Sequence, residues 1–149
     1  MIALSGSSRS IVELSRSLVP VEARPLWTPS CRGARRLKIS GKTARRLCDT
    51  AALATAAAFA LPVGALHAET RGAPYVAFVR QSAMYLSHVA FGVSLSEVGR
   101  CFGRDRTTAA HACRLIEDRR DDPAVDAVLG SLENACRTLR RRLAAPVQP

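Results

Sequence analysis

Arg104, Asp105, Arg106, Thr107, Thr108, His111 and Arg114 fall within eleven consecutive residues, and their types suit one kind of chemistry. An aspartate can accept from a cytosine amino group, threonine methyls can pack on a thymine methyl, an arginine can fork onto guanine, and an imidazole can donate to a purine or a phosphate. Catalysis fits them less well. Asp105 and His111 are six residues apart with no nucleophile between them, so no enzyme is expected. Taken singly, Asp105 is an ordinary helix cap and His111 an ordinary surface residue; only their order and spacing give them a joint meaning.

Those side chains need a helix slim enough for the major groove and a second element to hold it there. Residues 94–116, SLSEVGRCFGRDRTTAAHACRLI, read as two short helices joined by a tight turn. Ser94 and Glu97 have capping-box spacing, in which each side chain satisfies an amide at the helix start. Leu95, Val98 and Phe102 form one apolar stripe, and Gly103 supplies the permissive backbone of a helix exit. Asp105 then caps a second helix with Ala109, Ala112, Cys113 and Ile116 inward, leaving Thr107, Thr108, His111 and Arg114 outward. The pattern predicts a helix-turn-helix.

Arg80-Gln81-Ser82-Ala83-Met84-Tyr85-Leu86, Ser94-Leu95-Ser96-Glu97-Val98-Gly99, Phe102-Gly103-Arg104-Asp105-Arg106-Thr107-Thr108 and His111-Ala112-Cys113 follow one another in order. Together they resemble the C-terminal DNA-binding domain of the bacterial replication initiator DnaA, over residues 45–118. The resemblance implies an all-α fold: a small Trp repressor-like helical bundle with a basic loop before the helix-turn-helix. It implies base reading by Arg104, Asp105, Arg106, Thr107, Thr108 and His111. It also implies phosphate contacts from Arg80, Gln81, Arg114, His88 and the amides of Leu95 and Ser96, which orient a domain without reading sequence. Three departures stand out. Arg106 occupies a place where the family commonly has histidine, a second glycine before Arg104 is missing, and His88 stands where lysine is frequent. In the loop 67–74 the family usually carries several arginines for the minor groove, whereas this chain keeps only Arg71, which should weaken the preference for A·T-rich flanks.

At 149 residues the chain has room for one modest domain with tails, and its alanine- and leucine-rich apolar content favours helices. The net charge of +10 is concentrated early, with 10 of the 22 Lys/Arg and 3 of the 12 Asp/Glu in the first 50 residues. Such a balance suits polyanions, and equally a solvated basic tail or an anionic membrane surface. Residues 1–44 mix serine, proline and arginine without sustained periodicity and are expected to be a mostly disordered tail that includes Trp27. Gly41-Lys42-Thr43 ends like a phosphate-binding loop, but Arg36 stands where a further glycine is required and no apolar strand precedes it, so no nucleotide site is expected.

The uncharged run AALATAAAFALPVGAL, residues 51–66, is short for a membrane span and is broken by Pro62 and Gly64. It suits a core helix and a short link; the preceding Arg45-Arg46 pair leaves a twin-arginine export signal, with a cleavage-like Ala58-Phe59-Ala60, as the competing reading. Asp121-Asp122-Pro123 signals a further helix over 121–145, with Val125, Val128, Leu129, Leu132, Cys136, Leu139 and Leu143 on one face and Arg137 and Arg140–142 near its negative end. Packing on the bundle is the expected role of that face, dimerisation the alternative, and Arg140–142 could also meet phosphate. Five cysteines at spacings unlike any metal motif suit a reducing cytoplasm, and neither metal nor cofactor is expected.

The chain is therefore divided into a tail (1–44), a DnaA C-terminal-like domain (45–120) and a closing amphipathic helix (121–145). The function expected is sequence-specific double-stranded DNA binding in regulation of replication initiation or transcription, without ATPase activity. Its partners would be DnaA-box-like sites in the cytoplasmic nucleoid, in competition with the full-length initiator, and no membrane. A protein-interaction module using the same bundle, and a small exported protein, are the other classes compatible with these residues.

Overall fold

A computed structural model describes residues 39–68 and 72–144. Most of the expected tail, with Trp27 and Cys31, and the loop arginine Arg71 lie outside the described residues. Six helices, and no strand, occur among those described: α1 (Gly41–Ala58), α2 (Val63–Leu66), α3 (Pro74–Val89), α4 (Leu95–Cys101), α5 (Arg106–Arg119) and α6 (Pro123–Ala144). The all-α expectation holds.

Helix α1 starts at Gly41, four residues inside the stretch read as tail. Ser40 Oγ accepts from the Thr43 amide at 3.3 Å, so Gly41-Lys42-Thr43 is the first turn of a helix. Ala44, Leu47, Cys48, Ala51, Ala52, Thr55 and Ala56 make its buried face, a three-and-four spacing that the basic residues between them obscure. The uncharged run 51–66 is thus split. Its first half completes α1, Ala60 takes a positive φ of 52° at the exit, and Val63–Leu66 forms the one-turn α2 that buries Leu66.

Helix α3 is the axle of the bundle. It opens on Pro74, whose missing amide costs nothing at a helix start, and it packs against α1, α2, α4, α5 and α6. Contact on so many sides explains why Phe78 to Ser87, Gln81 excepted, are all buried. Ser82 and Ser87 sit inside by donating to the carbonyls of Phe78 and Ala83 one turn back. Phe91, Phe102, Leu66, Met84, Leu86, Ile116 and Leu129 are the largest fully enclosed side chains. They join α3 to the helix-turn-helix on one side and to α6 on the other.

Helix α6 starts as expected, with Asp122 accepting from the Ala124 amide at 2.8 Å just before Pro123. Val125, Leu129 and Cys136 are buried against the bundle, whereas Leu139 and Leu143 lie past its edge, Leu143 at 66% exposure. A polar clamp absent from the sequence reading fastens this helix. Arg120 Nε donates to Asp126 at 2.6 Å, and its Nη1 donates to Glu133 at 2.8 Å and to the Tyr85 hydroxyl at 2.9 Å. Glu133, 6% exposed, also pairs with Arg137, so its charge is matched from two sides. Burial would lower the Arg120 pKa, but the bonds to Glu133, Asp126 and Tyr85 outweigh it and the net shift is upward.

Cys48, Cys101, Cys113 and Cys136 are all buried free thiols. For Cys48 burial pushes the thiol well up, with further contributions from the neighbouring Cys101 thiol. No described helix is long and apolar enough to cross a membrane.

Candidate nucleic-acid interface

The α4–α5 unit is set by three local devices. Ser94 Oγ accepts from the Glu97 amide at 3.3 Å and starts α4; the Glu97 carboxylate, expected to close the capping box, instead pairs with Arg100 one turn on. Gly103, at φ 62°, reverses the chain after Phe102, and the Arg104 amide donates to the Gly99 carbonyl at 2.8 Å. The turn folds back so closely that a Cβ on Gly99 would stand 2.7 Å from the Arg104 carbonyl oxygen and 2.9 Å from both carbonyl atoms of Asp105. Only a residue without a side chain fits there.

Asp105 then caps α5. Its Oδ1 accepts from the Thr108 amide and from the Thr107 hydroxyl, each at 2.6 Å. The Thr107 hydroxyl first, and the Thr108 amide with it, hold the carboxyl down to about 2, so the side chain stays ionised in an exposed position. Ala109, Ala112, Cys113 and Ile116 face the core, while Arg106, Thr107, Thr108, His111 and Arg114 are exposed. Both halves of the expected division of this helix hold. Gln81, Arg104, Thr107, Thr108 and His111 meet across an open cleft of about 650 Å³ between α3 and α5, with Arg80 and Met84 at its floor.

Three candidates, Arg80, Arg104 and His88, are engaged by backbone carbonyls. Arg80 departs furthest: it is 5% exposed, and its guanidinium donates to the carbonyls of Leu66 at 2.7 Å and Ala65 at 3.1 Å. It ties the end of α2 to α3. Burial first, and Arg104 second, lower its pKa, so two guanidinium groups are held close together in this corner. Arg104 reaches back to donate to the Ala68 carbonyl at 3.0 Å and so anchors the loop before α3 on the turn of the α4–α5 unit. His88 is half-buried with Nδ1 2.7 Å from the Val93 carbonyl; a carbonyl only accepts, so Nδ1 carries the proton. That bond closes the α3–α4 connection. Leu95 and Ser96 occupy the first turn of α4, where amides have no acceptor within the helix.

His67 was absent from the sequence reading of the site. Its ring stacks on Phe102 at 5.3 Å between centroids, 12° from parallel, joining the loop to the turn a second time. The sequence signal was a lone aromatic-compatible residue beside the basic loop, too common to single out.

Comparison with known proteins places this geometry. Residues 49–116, from within α1 to the end of the apolar stripe of α5, match the family described as the bacterial dnaA protein helix-turn-helix. The chromosomal replication initiator protein DnaA of Mesorhizobium japonicum is 62% identical over 40 residues, 26% of this chain and 8% of that protein. Its counterpart from Symbiobacterium thermophilum is 47% identical over 51 residues, 33% of this chain and 11% of that protein. The chain therefore spans only a small part of each relative's length. The Ser94 and Asp105 caps, the Gly103 turn and the inward stripe of α5 all fall within residues 49–116, and that stretch is a helix-turn-helix domain of the kind the bacterial dnaA protein family model describes.

Proposed function

We propose that this chain binds double-stranded DNA in a sequence-specific manner by inserting α5 into the major groove. The observation that carries the reading is the two-sided character of α5, with four residues buried and Arg106, Thr107, Thr108, His111 and Arg114 exposed on a helix whose start is fixed by Asp105. Arg106 is assigned to fork onto guanine, the threonine methyls to meet thymine, His111 to donate to a purine or phosphate, and ionised Asp105 to accept from cytosine through the oxygen not used in capping. Arg114, Gln81 and the Leu95 and Ser96 amides hold phosphate, with α4 across the backbone.

Arg80, Arg104 and His88 act mainly by positioning. Arg71 stands on the sequence alone. The biological role proposed is regulation of replication initiation or transcription at DnaA-box-like sites, in competition with a full-length initiator, on the chromosome in the cytoplasm and without ATPase or other catalytic activity. Export with cleavage near Ala60 is disfavoured because it would remove α1 and its buried face from the core.

Titration of the full chain against duplexes with and without a DnaA box tests this. Preference for the box is expected, and equal affinity overturns base reading. Arg106→Ala should relax one base position at a cost of about 1 to 3 kcal/mol.

A further inference from the structure

We propose that Arg140 and Arg141, on the last turns of α6, form a second phosphate-binding bank for the same duplex, flanking the one at the start of α4. The inference rests on the duplex-binding reading and concerns residues beyond the 49–116 match.

Arg140 faces the bundle. Its guanidinium lies 3.2 to 3.3 Å from where a Cβ on Gly92 would be, and its Nη1 lies 3.4 Å from the Ala90 carbonyl. Gly92, at φ 74°, turns the chain out of α3, and Ser94, the cap of α4, follows two residues later. Leu95 stands three positions after Gly92, so at about 3.3 to 3.6 Å per residue the Arg140 guanidinium sits within about 15 Å of the α4 amides. A DNA strand sets down a phosphate about every 3.4 Å along the axis, so a strand resting on those amides passes the arginines within a few nucleotides.

Position around the helix decides which arginines belong. Arg137, Arg140 and Arg141 are three and four residues apart and share one side, but Arg137 is engaged by Glu133. Arg141 is exposed and makes no ion pair with any described residue. Arg142 lies on the other side of α6, in the shallow groove with Asn134, Ala135, Thr138 and Leu139. It has the same charge on the same turn and differs only in direction, which makes it the internal control.

The test is fluorescence anisotropy of full-chain protein on box-bearing and scrambled duplexes over a series of salt concentrations, for wild type, Arg141→Ala, the double variant Arg140→Gln with Arg141→Ala, and Arg142→Ala. Arg141→Ala should weaken both duplexes alike by about threefold to tenfold and make the log–log salt slope shallower by about 0.9, the double variant by about twice that. Arg142→Ala should leave both unchanged, and preference for the box should survive throughout. An unaltered slope in the first two variants overturns the proposal, as does an equal effect from Arg142→Ala, which would mean diffuse charge only. A loss confined to phosphatidylserine-containing vesicles, with DNA binding intact, overturns it in favour of a membrane surface. Failure of the underlying reading is distinguishable, since wild type itself would then bind no duplex.

Discussion

Arg104 donates across 3.0 Å to the backbone carbonyl of Ala68, 36 positions earlier, so the turn of the helix-turn-helix and the loop before α3 are one mechanical unit. The arginine that a sequence reading assigns to DNA is also a brace. Arg104→Ala is expected to speed hydrogen exchange at residues 66–68 and to weaken binding to every duplex alike. An effect on one base position only, with exchange unchanged, would make it a base reader.

Gly99→Ala tests the close approach under the turn. The added methyl would meet the backbone of Arg104 and Asp105 at 2.7 to 2.9 Å, where no flexible side chain can yield. A loss of about 1 to 3 kcal/mol in stability is expected from thermal or urea unfolding, with DNA binding reduced more than stability alone explains because α5 is displaced.

Asp105 ties stability to pH. Its folded carboxyl lies near 2, below its unfolded value of 3.8, so its contribution is fully present above pH 4 and disappears as pH falls through the folded value. Asp105→Asn keeps a capping oxygen but removes the titration. Thermal melts from pH 5 to pH 2 should therefore fall less steeply for Asp105→Asn than for wild type; parallel curves would show that the cap bond is not formed in solution.

Removing Arg120 would leave Glu133 buried with Arg137 as its remaining cationic partner and the Tyr85 hydroxyl without its donor. Because Arg120 is itself partly exposed, a cost of about 2 kcal/mol is expected for Arg120→Ala, read as a lower urea midpoint. Arg120→Lys should recover little of it, since a single ammonium cannot reach three acceptors in a fork.

Cap positions were the most legible part of this molecule. Ser94, Asp105 and Asp122 each bond an amide two or three residues away, so a short window of sequence contains the whole device. The inward faces of α4 and α5 were legible for the same reason. The start of α1 carried a comparable signal in Ser40 and Thr43 and in Ala44, Leu47 and Cys48, but Lys42 read as part of the basic tail and the Arg45-Arg46 pair as the edge of the domain, which masked it.

What escaped was long-range. Arg80 to Leu66, Arg104 to Ala68, Arg120 to Tyr85 and Glu133, and the Cys48–Cys101 contact join residues from 13 to 53 positions apart. No local pattern records whether an arginine head ends in solvent or on a carbonyl. Charge marked these arginines as available to an anion, and tertiary packing gave Arg80 and Arg104 backbone partners first.

The Arg120–Glu133–Tyr85 clamp bears on where this protein can be cut. A fragment trimmed to residues 49–116 would forfeit Ser40 as the opening cap, strip Leu129 and Cys136 from beside α3, and leave the Tyr85 hydroxyl stranded. The smallest autonomous piece to express or graft is therefore nearer 40–144, and its extra helix travels with the recognition unit as a buttress.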